Sequence, residues 1–510
     1  MSSPVTKGEL PDSPRTDWRT ATAMLLRGSP LDVLVIGGGI VGAGIARDAA
    51  MRGLRTGLVE QHDFAFGTSS RSSRLLHGGI RYLAQGRIGL VREASVEKKV
   101  IHHIAPHLAQ PLPFVFPTYG GNRNWVLWQL KIGVKIYDLL CGGHNFGRSS
   151  WLTRVDVLEK IPGLAQTDLK GAVRYYDGFT NDARLVIDTL RSAANHRAML
   201  LNYCRFRGAA HSNFWHCEVE DMVVGTRFQI QSRAVVNATG PWADGLPHSR
   251  VKLRLTKGVH VVVDHSRLPV VDTVVMTDGK RILFAIPWGE RTILGTTDTD
   301  YNGSLDVVTA NENDILHVLT IANHFFPSAR LTGNDVIRAW AGLRPLLADR
   351  NGDPSDISRS HEIRNPEPGW WDVAGGKLTT YRLMAEQTLA QIVRSLKLSA
   401  KPCQTATEPL LPAGEAGRFS GILPPEFTRQ AVEHYVMKEW AIRLEDVMAR
   451  RTCWHYYYSD AMQKAERVAD WMSELLGWSG EQRTEQLRRY RRLIDSSGLN
   501  NREAGIGCLP

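Results

Sequence analysis

Three observations predict an α/β fold, with a Rossmann-like domain, an antiparallel β-sheet domain and a C-terminal helical domain. A glycine fingerprint lies between two apolar strands near the N-terminus. Short β-branched strands crowd the middle of the chain. Helical periodicity takes over at the end. The fingerprint starts at Asp32 and reads DVLVIGGGIVGAGIARDAAMRGLRTGLVE. Gly37 allows a tight turn, Gly39 lets backbone approach a pyrophosphate, and Gly42 lets helix and strand pack closely. The free N–H groups and dipole of the helix N-terminus suit that anion. Gly53 follows the helix as a C-terminal cap. Glu60 closes the second strand about 20 residues past the first glycine, where an acid binds ribose hydroxyls. An acid there disfavours a 2′-phosphorylated nucleotide. The ligand read from these residues is an adenine dinucleotide, with NAD and FAD both open.

The remaining elements follow in chain order. Residues 1–30 form an N-terminal extension whose first part, rich in Pro, Ser and charge, reads as a disordered lead-in without a signal-peptide core. The dinucleotide domain is expected to be discontinuous, from 31–105, 165–250 and 335–400. A substrate-binding cap takes 106–164 and 251–334, opening with the Pro-rich break APHLAQPLPFVFP. Asn181 or Asp182 caps a helix to about Arg197, before the strands MLLNYCRF, FWHCEVED, RFQIQ and AVVNATG. HVVVD, VVMTD, RILFAIPW and RTILGTTD form the antiparallel sheet. Trp371 to Leu396 brings a strand, a Gly375-Gly376 turn and a helix. Residues 401–510 are the helical domain, which opens with a linker from Pro402 to Pro412 and is helical beyond it. Ser479 and Gln482 fit a capping box. Leu487, Tyr490, Leu493 and Ile494 keep helical spacing, with Arg488, Arg489, Arg491 and Arg492 as a solvated face.

Composition narrows the class. A 510-residue chain with 43% hydrophobic and 22% charged residues is globular and multidomain, not fibrous or disordered. No apolar run reaches the length of about 18 residues that a bilayer span needs. Six cysteines without CxxC spacing read as free thiols and argue against a metal site. A net charge of +10 fits an anionic partner: membrane surface, nucleic acid or phosphorylated substrate. No RNA- or DNA-binding module is recognised, so nucleic acid is set aside.

After Glu60 the chain continues DFAFGTSSRSSRLLHGGIRYL. Further motifs are DARLVIDT, AVVNATGPWAD, LTKGVHVVV, FAIPW, ILGTTDTD, AGLRPL, GGKLTTYRLMAE and LEDVMARRT. This series resembles the FAD-dependent glycerol-3-phosphate dehydrogenases of the aerobic, quinone-linked type, from Trp18 to Arg492. The resemblance implies non-covalent FAD. It implies oxidation of sn-glycerol 3-phosphate to dihydroxyacetone phosphate by hydride transfer to the flavin, with electrons passed to membrane quinone. It places the protein peripherally on an anionic membrane, at the cytoplasmic face of the cell membrane. A homodimer stays open. The implied FAD contacts are Gly37, Gly39, Gly42, Glu60, Thr68, Ser69, Ser70, Ser73, His77, Gly78, Gly79, Ala238, Gly240, Gly376, Lys377, Leu378 and Thr379. Two positions depart from the family pattern: Val41 stands where Asn is usual, and Arg74 where Lys is usual.

The chemistry needs cations and a base. Arginine forks match phosphate oxygens bidentately. The candidates are Arg81 with Tyr82, Arg344, Arg359 and Lys377, and the resemblance favours Arg344 most. Oxidising a secondary alcohol also needs a proton acceptor, and histidine titrates near neutrality. His260 between valines reads on its own as a core residue; the resemblance makes it the active-site base. His77 is expected to position the flavin loop, a covalent flavin link there being the alternative. In NWVLWQLKIGVKIYDLL, Trp125, Trp128, Ile132, Ile136 and Leu140 recur at helical spacing beside Lys131 and Lys135. That pattern suits a headgroup region, or else a helix packed on the substrate domain. The competing functions are a glycerol-3-phosphate oxidase using oxygen, a flavin oxidase of an amine or 2-hydroxy acid, and a non-catalytic flavin-binding scaffold.

Overall fold

The strand Leu31–Ile36 is the centre of the first sheet, and nearly every residue in it is buried. A strand that is apolar on both faces belongs inside a parallel sheet covered on each side. It pairs in parallel with Thr226–Asn237 on one edge and Thr56–Val59 on the other. The computed structural model describes residues 17–78, 88–120, 126–140, 145–279, 281–348 and 361–495. Among these, the full order is His361–Glu367, Trp370–Gly375, Thr226–Asn237, Leu31–Ile36, Thr56–Val59 and Met199–Leu201. The strands Cys204–His211 and Trp215–Asp221 extend this sheet through antiparallel pairing with Thr226–Asn237.

The helix Ile40–Met51 covers one face, against the helices Asp182–Asn195 and Tyr381–Leu396. Its small residues allow this: a Cβ on Gly44 would sit 3.0 Å from the Tyr381 ring. The other face is covered by Trp215, Trp370 and the helix Asp17–Arg27. That helix is the later part of the N-terminal extension, and residues 1–16, read as a disordered lead-in, lie outside the described residues. Arg19 is buried and donates to Asn202 Oδ1 and Asp221 Oδ2, each at 2.9 Å, so this part of 1–30 is docked on the sheet.

The second sheet has Thr299–Asp300, Leu253–Asp264, Arg291–Gly295, Arg281–Trp288, Thr273–Asp278, Gln110–Tyr119, Leu169–Phe179 and Leu75–Leu76 in order. Val336–Leu347 pairs with Leu253–Asp264 along most of its length. The sheet is antiparallel except where Thr273–Asp278 meets Gln110–Tyr119. The sequence-based boundaries put residues 165–179 and 335–347 with the first domain, yet their strands hydrogen-bond in this second sheet. Local alternation identifies a strand but not which sheet receives it. The helix Glu312–Phe325 buries one face of the sheet, while the other looks toward the helix Leu127–Leu140 and the C-terminal region.

The helices Arg429–Lys438, Ala461–Leu476 and Gly480–Asp495 share their own core around Val432, Val468, Met472 and Tyr490. The Ser479–Gln482 capping box forms as expected, and the Asn181 side chain accepts the Arg184 N–H. The segment LEDVMARRT ties this region to the first domain through buried charge. Arg450 and Arg451 each reach Asp63 Oδ2 at 2.6 Å. These two cations hold the Asp63 carboxyl down at about 2, against the upward push of burial. Removing one partner of such a buried pair leaves an uncompensated charge, which is strongly destabilising. Among the described residues no helix is long and apolar enough to cross a membrane.

Candidate active site

The carboxyl ends of the central strands carry the turns Gly37, Glu60, Ala238 and Gly375. This is where open α/β sheets bind ligands. Gly37 has φ +107°, and a Cβ there would lie 2.6 Å from the Ala238 carbonyl oxygen. A Cβ on Gly42 would overlap the Gly37 carbonyl, so Gly42 lets the helix start pack tightly under the turn. Helix Ile40–Met51 starts at Gly39, which has no side chain to cap it. Ser69 Oγ takes the Ile40 N–H, and the other first-turn N–H groups and the helix dipole suit an anion.

These turns line a cavity of ≈ 450 Å³ with Gly39, Val41, Glu60, Gly240, Trp242 and Gly376. Thr68, Ser69, Gly376, Lys377 and Leu378 are shared with a second cavity of ≈ 480 Å³. That one reaches the second sheet, with Ser73, His77, His260, Arg344 and Thr379 on its walls. Two joined compartments, a helix N-terminus and glycines where a Cβ would intrude fit a dinucleotide. Its phosphates would lie at Gly39 and its reactive ring beside His260.

Glu60 lines the first compartment, but its carboxylate also braces the turn. It accepts the Gly38 N–H at 2.7 Å and the His62 N–H at 2.8 Å. Burial pushes the Glu60 carboxyl up to about 7, partly offset by those two hydrogen bonds. Thr68 Oγ1 donates to the Leu343 carbonyl at 2.6 Å, tying the loop to the second sheet. Ser69 Oγ accepts the Ile40 N–H at 3.0 Å. Ser70 is buried, and Gly78 donates its N–H to Asp177 Oδ1 at 3.1 Å. Neither is among the residues that line these two cavities. The His77 carbonyl accepts from Thr379 Oγ1 at 3.3 Å, joining the loop to the turn after Lys377. Gly79, Arg81, Tyr82 and Arg359 lie outside the described residues.

His260 stands on Leu253–Asp264, opposite Gly295 on one side and Trp340 on the other. Its ring stacks on Trp340 with centroids 5.1 Å apart, and Nε2 lies 2.8 Å from Ser73 Oγ. Burial holds the imidazole well below its ordinary range, with the charges of Arg344 and Arg74 adding to the effect. A neutral imidazole at neutral pH is a competent proton acceptor.

Arg344 projects from Val336–Leu347 opposite Thr256. Nη2 donates to Thr296 Oγ1 at 2.8 Å, and Nη1 to Asp298 Oδ1 and the Thr297 carbonyl, each at 3.2 Å. Any Cβ on Gly258 would overlap the guanidinium. Gly258, Thr296 and Asp298 were not singled out from sequence; a glycine inside a strand, marking a close approach, was the available signal. Arg74 is buried with φ +58°, its guanidinium 4.3 Å from the Trp288 ring and 5.3 Å from that of Trp340. Cation–π stacking on two indoles suits a planar guanidinium. Arg74 thus packs behind the Trp340 ring that carries His260 and lines neither cavity.

Fold and site define a dinucleotide-dependent oxidoreductase, and comparison with known proteins agrees. A family model for FAD dependent oxidoreductases matches residues 32–386, and one for the C-terminal domain of alpha-glycerophosphate oxidase matches residues 422–483. The chain belongs to the glycerol-3-phosphate dehydrogenase family of these FAD-dependent enzymes. It is 35% identical to the glycerol-3-phosphate dehydrogenase of Mycobacterium leprae, over 92% of this chain and 89% of that one. It is 38% identical to the aerobic glycerol-3-phosphate dehydrogenase of Staphylococcus epidermidis, over 73% of this chain and 68% of that one. The glycerol-3-phosphate dehydrogenase of Bacillus halodurans, solved with FAD, superposes with a TM-score of 0.76 at 28% identity, covering 98% of this chain and all of that one. L-alpha-glycerophosphate oxidase from Mycoplasma pneumoniae shares the fold, with a TM-score of 0.59 at 18% identity over 75% of this chain and 99% of that one.

Proposed function

We propose that the protein binds FAD non-covalently and oxidises sn-glycerol 3-phosphate to dihydroxyacetone phosphate, with membrane quinone as the final acceptor. The observation that carries this reading is one cavity holding both a neutral histidine and an arginine fork, opening into the dinucleotide compartment. When bound, FAD supplies the two-electron acceptor for the hydride leaving the alcohol carbon. Arg344 grips the phosphate, with Lys377 lining the same cavity and Arg81, Tyr82 and Arg359 as further candidates. Thr296 and Asp298 hold the Arg344 fork in place beforehand, which lowers the ordering cost of binding. His260 takes the hydroxyl proton.

The match to the oxidase C-terminal domain favours a second reading, in which oxygen is the acceptor. Turnover with glycerol 3-phosphate in air, with and without a soluble quinone analogue, separates the two. Quinone-dependent product with little peroxide is expected. Peroxide formed in step with dihydroxyacetone phosphate, and indifferent to quinone, would assign the oxidase activity.

Quinone chemistry requires a bilayer contact, and the helix Leu127–Leu140 offers one. Leu130, Val134 and Tyr137 face inward and are buried. Trp128 is 61% exposed and Leu139 79%, with Ile132 and Ile136 also exposed beside them. Trp151 joins this face at 58% exposure, with the Lys131 and Lys135 ammonium groups 5.5 and 5.9 Å from its ring. The helix therefore packs on the substrate domain through one face and leaves an apolar face outward. Trp125 lies outside the described residues. Basic residues beside exposed Trp and Leu suit anionic headgroups, at about 1 kcal/mol per charge. In flotation with anionic liposomes, the Lys131→Glu/Lys135→Glu pair is expected to reduce binding, most at low salt. A pair variant that floats like wild type removes this face as the electrostatic contact.

A further inference from the structure

We propose that Ser73 is the relay through which the substrate's hydroxyl proton reaches His260, a role that rests on the glycerol 3-phosphate reading above. The two imidazole nitrogens are not equivalent. Nδ1 is sealed inside the protein with no hydrogen-bond partner among the described residues. Nε2 is the nitrogen left for proton traffic, and Ser73 Oγ stands 2.8 Å from it. Both residues line the compartment that holds Arg344.

The placement of Ser73 is fixed from both flanks. The Ser72 N–H donates to Asp182 Oδ2 at 2.9 Å, and the Arg74 N–H donates to Ser72 Oγ at 2.9 Å. Trp340 Nε1 donates to the Ser72 carbonyl at 3.3 Å, while its ring carries the imidazole. One tryptophan therefore registers the serine loop and the histidine against each other. A hydroxyl donates one hydrogen bond and accepts two. Ser73 can give its proton to Nε2 while accepting one from the substrate. Its donation to Nε2 also favours the tautomer with the proton on Nδ1, the form able to act as a base.

The substrate O–H proton moves to Ser73 Oγ, and the Ser73 proton moves to His260 Nε2. The C–H electron pair leaves as hydride to FAD, and the C–O bond becomes the ketone. Serine is regenerated, the imidazole gains one proton, and the substrate loses two electrons. Two protons are in flight together, whereas a serine that only fixes the loop leaves one.

The test uses holoenzyme and two variants of equal shape, Ser73→Thr, which keeps a hydroxyl, and Ser73→Val, which lacks one. Flavin reduction by glycerol 3-phosphate is followed anaerobically in mixtures of H₂O and D₂O. Wild type and Ser73→Thr are expected to give a curved, two-proton dependence on deuterium fraction. Ser73→Val is expected to be slower by about 10- to 100-fold, with a linear dependence, as the relay drops out. ¹⁵N NMR of His260 gives a readout without substrate: Nε2 as a hydrogen-bond acceptor in wild type, shifted in Ser73→Val. If Ser73→Val loses its flavin, Ser73→Ala carries the same comparison. A linear dependence in wild type, or Ser73→Val as fast as Ser73→Thr, overturns the relay. Wild-type flavin left oxidised by glycerol 3-phosphate overturns the substrate reading instead, and the NMR comparison still reports on the Ser73–His260 bond.

Discussion

Arg344→Ala is expected to lower kcat/KM for glycerol 3-phosphate by about 30- to 1000-fold, equivalent to about 2–4 kcal/mol of lost charge-assisted hydrogen bonding. The same variant should change turnover of unphosphorylated glycerol much less, because the fork has no phosphate to grip there. The ratio between the two substrates is the informative quantity. Arg344 also holds Asp298 and Thr296 in place. An equal loss on both substrates would assign it wholly to that structural role.

His260→Ala should act on the chemical step, slowing flavin reduction by about 10²- to 10⁴-fold while retaining bound FAD. The pH dependence follows from the direction of the imidazole's shift. Burial and two nearby arginines hold it well below 6.5, so the free enzyme carries a neutral base at neutral pH. The acid limb of kcat/KM, which reports the free enzyme, should therefore lie below 6.5. Wild-type kcat/KM should stay level as pH falls from neutrality toward that value. Near-normal flavin reduction in His260→Ala, or an acid limb above 6.5 in wild type, would remove His260 as the base.

What the chain showed before folding depended on how local each cause is. Gly37 and Gly42 were legible because a turn against Ala238 and a tight helix start leave no room for a Cβ, and only glycine meets both demands. The caps at Asn181 and Ser479 act across three residues and were equally visible. The sheet partners of Leu169–Phe179 and Val336–Leu347 were not, because strand pairing joins distant segments that local alternation does not rank. The same limit hid Asp298 behind Arg344 and the pairing of Ser73, named only as a flavin contact, with His260, each formed across a long stretch of chain. Trp151 was missed as part of the outward apolar face because it reaches the lysines from a neighbouring strand, outside the helical spacing. The motif LEDVMARRT stood out as a resemblance, but its buried contacts to Asp63 appear only when the C-terminal region docks on the flavin loop.

In the proposed reaction this site draws a hydride from glycerol 3-phosphate into bound FAD. Anaerobic mixing of the purified holoenzyme with glycerol 3-phosphate, followed by flavin absorbance in a single turnover, tests it most directly. Bleaching of the flavin with formation of one equivalent of dihydroxyacetone phosphate is the expected result. Flavin that stays oxidised under saturating glycerol 3-phosphate, yet bleaches with dithionite, would contradict it.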